Sequence, residues 1–515
     1  MISDNMMSQG PNVVGGALER PQEYWDIERP TYVRKTGTDS SNFVKLYQSG
    51  GYTPSISQQD FNFKMSDLNS YYLPSQSHFE ITFDIQDDTP IAASSPATRS
   101  LTIPNDVRTM FKYTQLELNN VTVESNNQNY HFYANVDRSW WSRQYYESVG
   151  SLAGAFLVDT KFDNPAYLAV DARRNMALTD NAVVPAVPEG YDGYFARSQS
   201  YMKRSVMSCM EVLGVGAERV VVRRPCTLRV AMPDLFNFYR HFTSVHRGIA
   251  MDVRFTCVND SAYITDRERV VDRPGGSYHK NWIGDGISWW LKTVSPSPRV
   301  KVHLNSILER GTEVLVPYEA CKVYSFQPGQ GSASFRVVNE SSRPTKMICG
   351  WQRKSVMNTT DDISVLQMPK GISSAWAFCN GQKIPNVDIQ FTSKINPPAA
   401  QSYNEGLETL PLFDFTELYL RYLEMTKSMT GMQNKQNYSH GSGAYGYLEW
   451  AAQCPVVTFD LSTNSIGEIS GSNSEITFGY ECTEDLSNYN LYCMVYVEKT
   501  VSINMSTTST YIAVR

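Results

Sequence analysis

Phe79-Glu80-Ile81-Thr82-Phe83-Asp84-Ile85-Gln86 sets apolar against polar side chains at every step. In an extended chain this alternation gathers the apolar residues on one face, as in a strand with one side in a core and the other toward solvent. The same period recurs at Leu228/Val230/Met232, Val253/Phe255/Cys257, Ile287/Trp289/Leu291 and Val300/Val302/Leu304. It returns near Val323 to Phe326, Phe335 to Val338, Met347 to Trp351, Ile476/Phe478/Tyr480 and Leu491 to Val497. Leu116-Glu117-Leu118 and Val121-Thr122-Val123 flank Asn119-Asn120, a pair that tolerates the left-handed backbone of a tight hairpin. With 31 Tyr, 22 Phe and 25 Pro, the composition is that of an all-β protein. Its 515 residues exceed what one hydrophobic core organises, so two or more β domains are expected.

Two helices interrupt the strands. Pro233-Asp234 is predicted to open one over 234–246, with Asp234 as N-cap and Leu235, Phe238, Tyr239 and Phe242 on one face. The stretch Pro411-Leu412-Phe413-Asp414-Phe415 opens the other, over 412–426, with Phe415, Leu418, Tyr419 and Tyr422 aligned. Leu235-Phe236-Asn237-Phe238 and Leu412-Phe413-Asp414-Phe415 are alike, and each helix has strands before and after it in the same order. This reads as one β-sandwich duplicated, with the helices in equivalent places. The predicted organisation is an extended amino-terminal arm at 1–58, a first eight-stranded sandwich at 59–308, and a second at 309–515 with a carboxy-terminal tail. Residues 145–222, irregular and holding Pro165, Pro185 and Pro188, are expected to be a long loop excursion from the first. They and 427–452 are expected to project together at one end.

Charge narrows the function. A net charge of −6 opposes a nucleic-acid wrapper, because phosphate binding needs clustered Lys and Arg to release counterions. The basic residues Lys203, Arg204, Arg219, Arg223 and Arg224 are interrupted by apolar ones and read as a solvated strand face or loop. Nine cysteines, an odd number without a CxxC pair, fit buried thiols of a reducing compartment. No apolar leader follows Met1, so a protein that is not secreted is expected.

Met110-Phe111-Lys112-Tyr113-Thr114-Gln115-Leu116-Glu117-Leu118-Asn119-Asn120, followed by Asn129-Tyr130-His131-Phe132-Tyr133-Ala134, resembles a segment of double jelly-roll (hexon-like) major capsid proteins from virophages, Polinton-like elements and adintoviruses. Asn120 stands where that segment has its turn glycine. Ala375 to Pro385, with Asn380-Gly381, is similar to the turn of the family's second jelly roll, and Val456 to Leu461 resembles its late Phe-Asp-Leu strand. The resemblance runs loosely from about residue 60 to 505. It implies a non-enzymatic structural protein whose homotrimers, pseudo-hexameric because each chain brings two sandwiches, tile an icosahedral shell. It also implies a place in the virion, assembly in host cytoplasm or nucleus, and contacts among capsomers and with penton and minor capsid proteins. No sequence-specific nucleic acid is expected as a partner, and membrane contact is left open. A minor or spike capsid protein, usually a single jelly roll, and a jelly-roll carbohydrate-binding protein are the alternatives.

No catalytic, cofactor-binding or metal-ligating residue is singled out. His241 and His246, five apart on the predicted helix, would diverge by about 140° and could not share a metal. GxSxG, HExxH, P-loop and GxGxxG patterns are absent. Asp361-Asp362 and Glu484-Asp485 read as solvated turns. Trp140-Trp141 and Trp289-Trp290 read as packing residues, since strand neighbours face opposite ways. Val13-Val14-Gly15-Gly16-Ala17 resembles the Gly-Gly sites cut by adenovirus-type maturation proteases; a flexible hinge is the competing reading.

Overall fold

The computed structural model describes most of the chain between Thr38 and Val514. Residues 1–37, 50–58, 88–98, 142–149, 156–209, 214–219, 260–264, 267–277, 355–362, 394–412, 431–449, 462–473 and 506–509, with a few shorter segments, lie outside the described residues. The Gly15-Gly16 site and nearly all of the two loops expected to project therefore lie outside them.

Eight strands build the first sandwich: β1 (Thr38–Leu46), β2 (Asp60–Met65), β3 (His78–Asp87), β4 (Phe111–Leu118), β5 (Val121–Asn126), β6 (Cys226–Ala231), β7 (Met251–Cys257) and β8 (Tyr278–Pro296). Their sheets run β1-β8-β3-β6 and β2-β7-β4-β5. The second uses β9 (Thr312–Phe326), β10 (Ala333–Glu340), β11 (Pro344–Arg353), β12 (Ile372–Cys379), β13 (Gln382–Gln390), β14 (Val456–Asp460), β15 (Ser474–Cys482) and β16 (Tyr489–Met505). Its sheets run β9-β16-β11-β14 and β10-β15-β12-β13, the same order displaced by eight strands. All the pairings are antiparallel. This is the jelly-roll order, present twice. Between the two lies helix α2 (Pro298–Leu308), and β17 (Thr510–Val514) closes the chain against β16.

The cores follow the predicted alternation. Phe79, Ile81, Phe83 and Ile85 are buried together with Trp289, whose ring stacks on Phe79 at 5.4 Å. In the second core Trp351 meets Phe478 and Tyr480.

The two hairpins that the sequence singled out occupy equivalent places. Asn119 and Asn120 have φ of 48° and 64° between β4 and β5; Asn380 and Gly381 have 50° and 80° between β12 and β13. Both are two-residue turns with left-handed backbone at each position. Asn119 donates its backbone N–H to the Ala250 carbonyl at 2.9 Å, and its Oδ1 accepts from the Ala250 N–H at 2.7 Å. Asn380 makes the same pair of bonds with Glu475, each 2.8 Å. Each turn thus clamps the start of the neighbouring strand, β7 or β15.

Several expectations fail. The arm at 1–58 is not free of structure, because β1 pairs along β8 from Thr38 to Leu46 and forms a sheet edge. The helix predicted at 234–246 is two single turns, Met232–Leu235 and Phe238–His241, with Ala231 rather than Asp234 at the first N-cap. Extended backbone at Phe236 (φ −131°) separates the turns. The second helix, α3, spans Thr416–Thr430, while Phe413–Asp414 is a short strand. The helices are not equivalent either: the first turns join β6 to β7, whereas α3 lies between β13 and β14. The counterpart of α3 is α1 (Tyr130–Ser139), between β5 and β6, a helix the sequence did not announce. Val300/Val302/Leu304 sit in α2, whose start at Ser297-Pro298 suits a helix, since proline is pre-organised for its first turn.

The 145–222 region is not wholly irregular. Met210–Leu213 and Val220–Arg223 join Arg99–Thr102 and Thr265–Asp266 in a small separate sheet. Its strands come from three connections, β3–β4, β5–β6 and β7–β8, which leave the sandwich at one end: Asp87 pairs with Tyr278, and Cys226 pairs with Phe83.

Replacing Asn380 by Ala removes an acceptor and puts into left-handed backbone a residue that tolerates it less well than asparagine, so N380A is expected to lose about 2 kcal/mol in denaturant unfolding. N380G, free of the backbone penalty, should lose less. An N380G as stable as the unsubstituted chain would contradict the clamp.

Candidate functional site

Chemistry of the usual kinds is not assembled among the described residues, where no group of three or more His, Cys, Asp or Glu is placed to hold a metal ion. His241 ends a helical turn and His246 lies beyond it, buried against Tyr239 and Phe242, so the two never share a helix. The eight described cysteines are free and buried; burial pushes Cys454 up to about 12 and Cys226 well above the ordinary thiol range. Such thiols are poor nucleophiles. Asp485 caps the turn at Ser487, and Asp361-Asp362 lie outside the described residues. Trp289 is in the core while Trp290 faces outward, as strand neighbours should. Trp140-Trp141 is different, since it follows α1: Trp140 stacks on Tyr422 at 4.9 Å and Trp141 covers the Arg108 guanidinium at 4.4 Å.

What the structure does assemble is a junction between the sandwiches, centred on α1. All ten residues of this helix are buried. One side packs on its own sandwich through Tyr130 and Tyr133, whose hydroxyls donate to the Leu235 carbonyl and to Asn237 Oδ1. The other side lies on the outer face of the β9-β16-β11-β14 sheet. There Phe132 stacks on Tyr492 at 5.0 Å, and His131 meets the same ring edge-on at 5.4 Å. A Cβ on Gly350 would stand 3.1 Å from the Phe132 ring, so a glycine lets the helix settle this close. Asn135 Nδ2 and Gln352 Nε2 both donate to the Ile363 carbonyl at 2.8 Å. Lower down, Tyr318 donates to the Val123 carbonyl and Asn237 Nδ2 to the Glu319 carbonyl at 3.2 Å.

Charge is buried here, and it is paired. Arg108 Nη2 reaches Asp106 at 2.7 Å and its Nη1 reaches Asp137 at 2.6 Å. Arg240 holds Asp137 from the other side with two bonds, of 2.7 and 2.8 Å. Burial alone would raise the Asp137 carboxyl; the Arg240 and Arg108 guanidiniums more than reverse this and hold it below the usual range. The remaining donors reach backbone carbonyls, Arg108 those of Asp234 and Ala134, Arg240 that of Pro233. Three segments far apart in sequence, around 108, 137 and 240, are thereby fixed to one another. Glu124 stands apart from this balance. Burial pushes it up to about 7, against the backbone N–H groups of Phe238 and Asn237 and the charge of Arg240.

The sequence reading missed α1, Arg108, Asp137 and Arg240. A signal was present: Asp137-Arg138 inside the run from Tyr130 to Trp140 is a charged pair in otherwise apolar surroundings, which demands partners.

Two jelly rolls of identical strand order, joined side by side in one chain, define a double jelly-roll protein. No family model matches the sequence, and no curated protein matches it. Among solved structures, the chain is similar to one in the cryo-EM structure of the Sputnik virophage, with a TM-score of 0.55 and 13% identity over 98% of this chain and 93% of that one. The mavirus major capsid protein compares at a TM-score of 0.47 and 9% identity, over 98% and 97% of the two chains. The Faustovirus major capsid protein compares at 0.46 and 7%, over 91% and 90%. At such identities likeness speaks to fold, and the first of the three carries it.

Asp137→Asn leaves the buried Arg108 and the half-buried Arg240 guanidiniums short of one charge and is expected to lose about 3–5 kcal/mol of unfolding free energy in urea. Glu124 supplies a pH dependence. The unfolded chain ionises it near 4.5 and the folded chain near 7, so its contribution is complete below 4.5 and is lost as pH rises through 7. Relative to wild type, E124Q should therefore gain about 2–3 kcal/mol between pH 5 and pH 8. A difference that does not move with pH would refute the assignment.

Proposed function

We propose that the chain is a non-enzymatic viral major capsid protein, forming pseudo-hexameric homotrimeric capsomers that tile an icosahedral shell. The observation that supports this most is the repeated strand order, with both sandwiches locked side by side by α1. A rigid pair of like sandwiches is a third of a hexagon, and three chains complete it. The likeness to the Sputnik virophage chain over nearly its whole length, and the family motifs at Asn119-Asn120 and Asn380-Gly381, favour the same reading. A second sandwich in the chain weighs against a minor or spike protein built on one.

As capsomer units we take residues 38–308 and 309–515, β1 belonging with the first. The partners are then further copies of the chain, with penton and minor capsid proteins at the edges of the array. The place of action is the virion, after assembly in host cytoplasm or nucleus. The small sheet of Arg99–Thr102, Met210–Leu213, Val220–Arg223 and Thr265–Asp266 forms the base of the outward relief.

Size-exclusion chromatography with light scattering is expected to give three times the 58.2 kDa chain mass. The trimer should bury more than roughly 2,000 Å² in all, as obligate interfaces do. A chain that stays monomeric at high concentration would count against the capsomer.

A further inference from the structure

The two halves of the duplication differ in what covers them. On the second sandwich, β11 is buried at nine consecutive residues, Pro344 to Gln352, and β14 at four, Val456 to Phe459, so both faces of this sheet are covered. The cover on its outer face includes α1, which is itself buried on every side. Among the described residues, the equivalent sheet of the first sandwich has one face partly exposed. Along β3 buried residues alternate with half-buried ones, and along β6 buried Cys226, Leu228 and Val230 alternate with exposed Thr227 and Arg229. At the edge of that face Phe43 and Tyr47 are 46% and 42% exposed.

The two equivalent helices differ in the complementary sense. α3 buries Leu418, Tyr422 and Met425 against its own sandwich and Trp140, but its opposite face is open: Leu420 is 53% exposed, with Glu417 and Glu424 also outward. Among the described residues, one chain therefore holds one completed helix-on-sheet junction, one partly exposed sheet face without such a helix, and one helix with an exposed face.

We propose that the outer face of the β1-β8-β3-β6 sheet receives α3 of a second copy of this chain, in the way α1 sits on the second sandwich's sheet within one chain. The occupant follows from continuity with the junction already formed: duplication supplies the same two surfaces again, and a head-to-tail contact between copies joins them. Most charged groups of the two surfaces are paired within the chain, Lys45 with Asp285, Arg229 with Glu80 and Glu417 with Arg421, so neither surface repels the other. Phe43, His78 and Trp290 form its aromatic part, with Phe43 and His78 rings 5.4 Å apart and His78 parallel to Trp290 at 6.3 Å. This rests on the capsomer reading and gives it a named contact.

The test is cross-linking between two co-expressed chains of different tag length, one carrying Leu420→Cys and the other Tyr47→Cys, with a short bis-maleimide. Both positions are exposed, so neither variant disturbs a core, and the described native cysteines are buried. The expected product is one long chain linked to one short chain, formed in the co-expressed sample and in neither variant alone. Light scattering on the same sample separates the outcomes. An oligomer without the mixed product overturns the proposal and leaves the capsomer standing; absence of any oligomer overturns both. A link formed inside a single chain carrying both substitutions would show that α3 covers its own sheet, and would also overturn it. Leu420→Asp should raise the concentration at which the oligomer dissociates at least tenfold, and an unchanged value would count against the contact.

Discussion

Asp137 lies between two guanidiniums on a helix with no solvent-facing side, and the arrangement of the two sandwiches depends on it. Removing a carboxylate from water costs several kcal/mol, so it can stay ionised there only if partners are held close and in good geometry. Arg108 and Arg240 provide this, and each is itself fixed by backbone carbonyls. The constraint reaches outward. With α1 immobilised on its own sandwich, His131, Phe132 and Asn135 present a rigid surface to Tyr492, Gly350 and Ile363 of the other. Two domains joined only by a linker would be expected to move relative to one another. Here a buried ionic cluster on one side and a stacked aromatic contact on the other leave a single rigid unit.

Legibility in the sequence tracks where information is local. Strands such as β3 and β7 could be read because alternation needs only neighbours in sequence, and the Asn119-Asn120 turn because left-handed backbone selects its residue types. The duplication was read from the order of helices and strands, and the jelly roll from the family resemblance. The helices were harder. Leu235-Phe236-Asn237-Phe238 has helical spacing but is broken at Phe236, where the chain crosses from one sandwich face to the next; Leu412-Phe413-Asp414-Phe415 resembles it by chance of composition and occupies a different connection. Val300/Val302/Leu304 alternate as a strand would, yet form α2, because no sheet edge pairs with them and the Ser-Pro start favours a helix. α1 went unread because its polar residues, among them Asn135 and Asp137, find their partners in segments distant in sequence, which a pattern along the chain does not show.

The repeat that marks the duplication lies in the hairpins instead. Asn119 and Asn380 each use one side chain and one N–H to hold the strand beside them, and few residue types besides aspartate both tolerate that backbone and supply that acceptor. A four-residue apolar match is weak support for homology between halves, because many sequences satisfy a core. A matched polar clamp in the same topological place is stronger, because its geometry admits few substitutes.

The contrast between the two equivalent sheets carries the argument one step further. The outer face of the second is lined by Tyr492, Met494, Ile348 and Gly350, closed over as the chain folds, and its polar members Lys346 and Gln352 are buried with Glu319 and the Ile363 carbonyl as partners. Its counterpart on the first carries Lys45, Glu80, Arg229 and His78 among its aromatics, with Lys45 bonded to Asp285 and Arg229 to Glu80 at 3.1 Å. A face covered during folding never has to meet water, and can be apolar. A face that must stay soluble until another molecule arrives cannot expose a large apolar patch without risking aggregation. Mixed aromatic and charged surfaces meet both demands, since the rings bury area on contact and the paired charges keep the free chain in solution. The difference in composition between two sheets of one topology is thus what a contact within the chain and a contact between chains would each require.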